Sequence, residues 1–189
     1  MTSMPAASPA PMTAEEFLAI PAREGERLEL IEGELIVMEG ALLQHQLALG
    51  NLYGLLWTWS RTEPDRGLVA LEVDTQLDRH NVLLPDLQWY APGRELDATR
   101  RPQPLGDLVA EVRSPSTWAR DVGIKRDLYE RHGAGELWLV DPAARSVLVF
   151  ARTTPDAPRF DTVTERTADE SLTSALLPGF AVDVAAIFG

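Results

Sequence analysis

Two carboxylates in this 189-residue chain stand where carboxylates are costly. Asp86 follows Pro85 inside the apolar run VLLPDLQWY (82–90), and Glu111 lies inside DLVAEVR (107–113). An acid flanked by apolar residues on a strand is unfavourable unless it is paired or holds a cation. Two such acids on neighbouring strands form a hard-oxygen site suited to Mg2+ or Mn2+. Pro85 within a strand points to an edge or a bulge, where a side chain can be re-aimed. The competing reading is that both acids face solvent from half-exposed strands.

Lysine usage points the same way. The chain has seventeen basic residues, and Lys125 is the only lysine among them. A lysine kept in an arginine-rich chain supplies a compact ammonium whose pKa can be moved, which a guanidinium cannot. Asp121, Lys125 and Tyr129 fall at i, i+4, i+8 on one stripe of a helix. Either Asp121 and Lys125 form an ordinary surface pair, or the ammonium sits over a metal site, beside a scissile phosphate or its attacking water. Glu29 is a third acid, on a strand opposite to Leu28 and Leu30; its spacing alone reads as an exposed strand glutamate. His45 could serve as ligand or base, although its leucine-rich helical face reads equally as core. With His80 in a turn and His132 at a helix end, the three histidines make no zinc constellation. Phosphate-loop and dinucleotide-loop glycine patterns are absent, and Ser114-Pro-Ser116 lacks the glycines of a nucleophile elbow.

The elements that must position these residues follow from periodicity. Thr13-Ala-Glu-Glu16 predicts a capped N-terminal helix. RLELIEGELIVM (27–38) predicts a hairpin about Glu32-Gly33. His45, Leu49, Leu52 and Leu56 share a face of a helix over Leu42 to Trp59. Gly67 to Leu77 and Val82 to Tyr90 each read as one strand, and Leu108 to Arg113 as another. Pro115 to Asp121 leads into a helix ending at His132-Gly133. Leu137 to Val140 and Ser146 to Phe150 form a hairpin about Asp141. The segment after Arg152 reads as polar loop, closed by a short helix within Val182 to Phe188. Trp57, Trp59, Trp89 and Trp138 read as core. The order describes an α/β fold with a mixed sheet flanked by helices. Residues 1–11, rich in Pro, Ala and Ser, read as a disordered extension before one domain over 12–189.

Composition narrows the classes. The chain is 45% hydrophobic and 24% charged, as ordinary globular domains are. It has no cysteine, which excludes disulfides, thiolate metal sites and a cysteine nucleophile. That fits a cytoplasmic protein, and no apolar run is long enough for a membrane helix. Net charge is −12, yet Arg94 to Arg131 holds eight basic and seven acidic residues, so an anionic ligand is expected at the middle of the chain.

RLELIEGELIVM, then His45 opening a helix, LLPDLQWY, DLVAEVRSPST, DVGIKRDLY (121–129) and GELWLVDP form an ordered series. It resembles the Uma family of putative restriction endonucleases, a branch of the PD-(D/E)XK nuclease superfamily, from about Thr13 to Phe150. The closing LLPGFAVDVAAIF resembles that family's ending. The resemblance implies a restriction-endonuclease-like core with Asp86 and Glu111 as catalytic and metal-holding acids. It implies a catalytic lysine on the following helix, Lys125, because Arg113 occupies the superfamily's usual lysine position. Glu29 matches the hairpin acid, also catalytic. His45 matches a family histidine and is grouped with Arg113 and Arg120 as substrate-binding. The implied activity is Mg2+-dependent (or Mn2+-dependent) hydrolysis of DNA by a homodimer. Two alternatives stay open: a degraded nuclease fold used for binding or regulation, and a hydrolase of a small phosphorylated compound.

Overall fold

The computed structural model describes residues 10–21, 26–114 and 120–189. Most of the expected N-terminal extension, and the helix entry at 115–119, lie outside them.

Local chemistry forms the first elements. Helix α1 (Ala14–Leu18) is closed by a reciprocal capping box: the Thr13 hydroxyl accepts from the Glu16 N–H, and the Glu16 carboxylate accepts from the Thr13 N–H. Strands β1 (Arg27–Ile31) and β2 (Glu34–Met38) meet at Glu32 and Gly33, with φ of 50° and 80°. That double left-handed turn matches the twist of the paired strands. Gly33 is required twice over, since a Cβ there would come within 2.4 Å of the Pro11 Cβ. Helix α2 (Leu43–Arg61) buries Leu49, Leu52, Leu56 and Trp59; each fully buried leucine contributes roughly 1.5–3 kcal/mol.

Two expected single strands are each broken in two. Gly67 to Leu77 divides into β3 (Leu68–Leu71) and β4 (Thr75–Asp78). Glu72 between them adopts φ of 49°, which no strand continues through. Val82 to Tyr90 divides into β5 (Asn81–Leu83) and β6 (Leu87–Tyr90), because Pro85 has no N–H to give a ladder. The two breaks lie side by side, the Glu72 N–H donating to the Asp86 carbonyl at 3.2 Å. At both breaks the chain crosses between sheets.

The smaller sheet has the order β2-β1-β5-β4. The larger adds β7 (Leu108–Val112), β8 (Glu136–Asp141), β9 (Ser146–Ala151) and β10 (Thr162–Thr167), in the order β10-β9-β8-β7-β6-β3. Only β7 and β8 run parallel. Their crossover holds a π-helical turn (Asp121–Lys125) continuing into α3 (Arg126–Arg131), as a parallel pair requires. β10 replaces the loop expected after Arg152. Its sequence, TVTERT, has strand-forming Val and Thr, but as an exposed edge it carries no apolar alternation to betray it. A ribbon of β11 (Ser171–Thr173) and β12 (Ala181–Asp183) and helix α4 (Ala185–Phe188) close the chain.

Both faces of the central strands are covered. Leu108, Ala110, Val112, Trp138 and Val140 pack with α2 and α4. Val109, Leu137 and Leu139 pack on the other face with Leu128 and Tyr129 of α3. Double coverage is why β7 and β8 read as almost continuous apolar runs. Trp59, Trp89 and Trp138 are core, but Trp57 is not: it sits on the outward face of α2, 48% exposed.

Candidate functional site

Glu111 shares the face of Val109, so it points from β7 toward the crossover helix. There the stripe Asp121, Lys125, Tyr129 turns inward. The Lys125 Nζ lies 2.6 Å from Glu111 Oε1, 3.0 Å from Glu29 Oε1 and 3.6 Å from Asp121 Oδ1. The Tyr129 hydroxyl donates to Glu111 Oε1 at 2.5 Å. The surface-pair reading of Lys125 is thereby overturned, since the residue is 1% exposed. The exposed reading of Glu29 fails too. Strand β1 turns Glu29 away from solvent, and beyond the end of β5 the Leu84 N–H donates to Glu29 Oε1 at 2.9 Å.

Asp86 sits where the chain crosses between the sheets. Its Oδ2 accepts from the Val112 N–H at 2.8 Å and lies 3.1 Å from His45 Nε2, while its own N–H faces Glu111 Oε2 at 3.5 Å. His45 is therefore both buried in the helix face and in contact with Asp86. Arg27, which sequence reasoning passed over, brings its guanidinium within 2.9 Å of Glu72 Oε1 and 3.6 Å of Asp86 Oδ1. The available signal was strand parity, because Arg27 and Glu29 share a face of β1. Tyr129 was visible in the stripe, but its bond to Glu111 was not. Arg113 lies just past β7 with its guanidinium 2.5 Å from Asp141 Oδ2, and Arg120 immediately precedes the π-helical turn.

Electrostatically the two central acids are driven apart. Burial pushes the Glu111 carboxyl up to about 8; the Lys125 ammonium pulls it down, but Asp86, Asp121 and Glu29 push with burial. Burial also works against ionised Asp86, yet the His45 hydrogen bond and charge, the Val112 N–H and Lys125 outweigh it and hold that carboxyl below its ordinary value. Burial opposes the Lys125 charge as well, but Glu111 and Glu29 keep the ammonium protonated far above its usual range. Divergent environments for neighbouring titratable groups are what proton-transfer chemistry needs.

The donor set fits a hard divalent cation. Glu29, Asp86, Glu111 and Asp121 are all buried, and Glu29 Oε2 has no hydrogen-bond partner. Lys125 is the one lysine among them. Among the described residues no three histidine or acidic side chains form a ready-made cage. Mg2+ does not need one, since it is usually held by one or two carboxylates with waters and substrate phosphates. No helix of the described residues is long and apolar enough to cross a membrane.

Comparison with known proteins gives the fold and the family. No curated protein matches the sequence. A crystal structure of a putative nuclease from Anabaena variabilis superposes with a TM-score of 0.76 at 18% identity, covering 94% of this chain and 98% of the other. That likeness establishes a shared fold. The family model described as "Putative restriction endonuclease" (Uma2) matches residues 14–185. The chain, with its mixed sheet and buried acid–lysine cluster, belongs to the Uma2 family of putative restriction endonucleases.

Proposed function

We propose that this protein hydrolyses phosphodiester bonds in DNA with the help of a divalent metal. The observation that carries the reading is the meeting of Asp86, Glu111 and Lys125, from two sheets and a crossover helix, in one buried cluster. Asp86 and Glu111 are the residues to hold Mg2+ or Mn2+. When bound, the metal supplies a water of lowered pKa and charge stabilisation at the phosphate. Lys125 Nζ orients the attacking water or donates to a phosphate oxygen as negative charge develops there. The Val112 N–H and His45 Nε2 keep Asp86 in place, and the Tyr129 hydroxyl keeps Glu111 in place. Glu29 Oε1 braces the ammonium from the other side. Arg120, at the mouth of the crossover, is available to the DNA backbone, as is Arg113 if it exchanges Asp141 for phosphate. The near-neutral charge of Arg94 to Arg131, in a chain of net −12, supports approach of a polyanion to that segment.

Incubating supercoiled plasmid with the protein and Mg2+ or Mn2+ tests this. Wild type is expected to nick, and Asp86→Ala to lose nicking by about a hundredfold or more. Equal nicking by both proteins, or none by wild type with either metal, rejects the reading.

Metal affinity carries a pH signature of its own. Glu111 must give up its proton before its carboxylate can hold a cation, and it keeps that proton up to about pH 8. Affinity is expected to rise by up to about tenfold per pH unit through neutrality and to level off above that value. Titration calorimetry in two buffers of different ionisation enthalpy reads the released proton. A pH-independent affinity contradicts the assignment of Glu111.

A second reading also has an observation behind it. The heads of Glu29, Glu111 and Lys125 are shut away from solvent and paired with one another. A nuclease fold retained for binding would look like this. Absence of metal binding dependent on Asp86 and Glu111 in the same calorimetry favours that reading.

A further inference from the structure

Helix α2 has two faces with different tasks. One buries Leu49, Leu52 and Leu56 and sends His45 to Asp86. The opposite face carries Leu43, Leu47, Gly50, Gly54, Trp57 and Arg61, at spacings of four and three residues, on one stripe. All six are exposed, Leu43 by 75%, Leu47 by 55% and Trp57 by 48%. Apolar side chains so exposed on one helix face mark a contact surface.

The glycines are the independent clue. Glycine is the costliest residue after proline in a helix interior. Here nothing within the chain asks for it, since a Cβ at Gly50 or Gly54 would meet no atom within 4 Å and neither residue has a positive φ. What two glycines one turn apart provide is close approach by another backbone.

Charge says whose backbone. A chain of net −12 repels its own copy over most of its surface. The whole of α2 contains no acidic residue, and its only arginine or lysine is Arg61. The order of residue types is self-complementary as well. In an antiparallel pair with its two-fold axis crossing the outer face at the level of residue 52, Gly50 opposes Gly54, Leu47 opposes Trp57, and Leu43 opposes the stem of Arg61, whose guanidinium already caps the Trp57 ring at 5.7 Å. The dipoles of the two helices are then opposed and attract.

We infer that the outer face of α2 is the contact between two copies of this chain, packed antiparallel about Gly50 and Gly54. The stripe is about 28 Å long and about 10 Å wide, roughly 280 Å² on each copy, which is below a standard interface and makes the contact a weak, transient one. Because the same helix holds His45 against Asp86, the contact backs the candidate site without entering it.

Sedimentation of the full chain over a concentration series reads the prediction. Wild type is expected to shift from 20.8 kDa toward twice that mass as concentration rises. Gly54→Glu has room in the single chain, so circular dichroism should be unchanged while association weakens by roughly a hundredfold or more. The protein has no cysteine, which allows a test of orientation. Leu47→Cys with Trp57→Cys should oxidise to a covalent dimer, whereas either single variant should not. A wild type of single-chain mass at every concentration overturns the inference. So does a Gly54→Glu dimer as tight as wild type, or full cross-linking by Leu47→Cys alone, which would mean a parallel pair.

Discussion

Glu111→Gln is expected to abolish metal-dependent nicking and, at the same time, to make the protein harder to unfold at alkaline pH. Both effects come from the burial of one carboxyl. In the folded chain Glu111 keeps its proton up to about 8, against an ordinary value of 4.5. An acid whose folded pKa is raised contributes fully to stability below its unfolded pKa, and that contribution is lost as pH rises through the folded one. Wild-type stability should therefore decline between about pH 4.5 and 8. Glutamine keeps the shape but never ionises, so the decline should be smaller and the variant more stable at pH 9 by roughly 1–4 kcal/mol. Urea unfolding at pH 5 and pH 9 measures this. A variant that is less stable than wild type at both pH values would show that the Lys125–Glu111 attraction outweighs the burial of the charge.

Lys125→Met should be damaging in both respects. Removing one donor aimed at developing charge costs about a hundredfold to a thousandfold in rate. Nicking by this variant should fall at least that far, and added alkylammonium ions have no open path to a group 1% exposed. Stability should fall by about 3–5 kcal/mol above pH 8, where Glu111 is ionised, because breaking a buried pair leaves charge without a partner. The stranded partner is Glu111, which takes up its proton as pH falls through about 8, so the loss should fade below that value. Thermal melts from pH 6 to pH 10 follow it. A deficit that does not change with pH would mean that lost packing of the lysine stem, and not charge, is the cause. The contrast between Glu111→Gln and Lys125→Met separates the two signs of charge in one cluster.

These expectations rest on a cluster that was partly visible before any coordinates. Asp86 and Glu111 drew attention because acids in apolar runs need a reason, and Lys125 because it has no lysine companion. The stripe Asp121, Lys125, Tyr129 followed from helical spacing, which survives the π-helical turn well enough to bring Lys125 and Tyr129 to Glu111 and Asp121 to Lys125. Glu29 shows where such reasoning ends. Alternation says that Glu29 faces away from Leu28 and Leu30, but it cannot say which side of β1 is covered. Leu30 is buried and Glu29 is buried too, because the hairpin packs on α1 on one side and meets the lysine on the other.

The same division runs through the fold. The Thr13 cap, the Glu32-Gly33 turn, the inward face of α2 and the run from β7 to β9 were set by the residues themselves. Capping, left-handed turns and period are short-range properties, carried by a few neighbouring residues. Where the chain leaves one sheet for another was decided only in three dimensions. The crossings at Glu72 and at Pro85 depend on which strand edges are open to receive the chain, and the edge strand β10 exists because β9 offers it a ladder. Asp86 lies at such a crossing, and its distances to His45, Val112 and Glu111 are properties of the packing. Residue types alone singled out two acids in apolar runs and a lysine without a companion. Tertiary structure alone decided that they meet, because the pairing of distant strands sums many weak contacts that no local stretch of sequence contains.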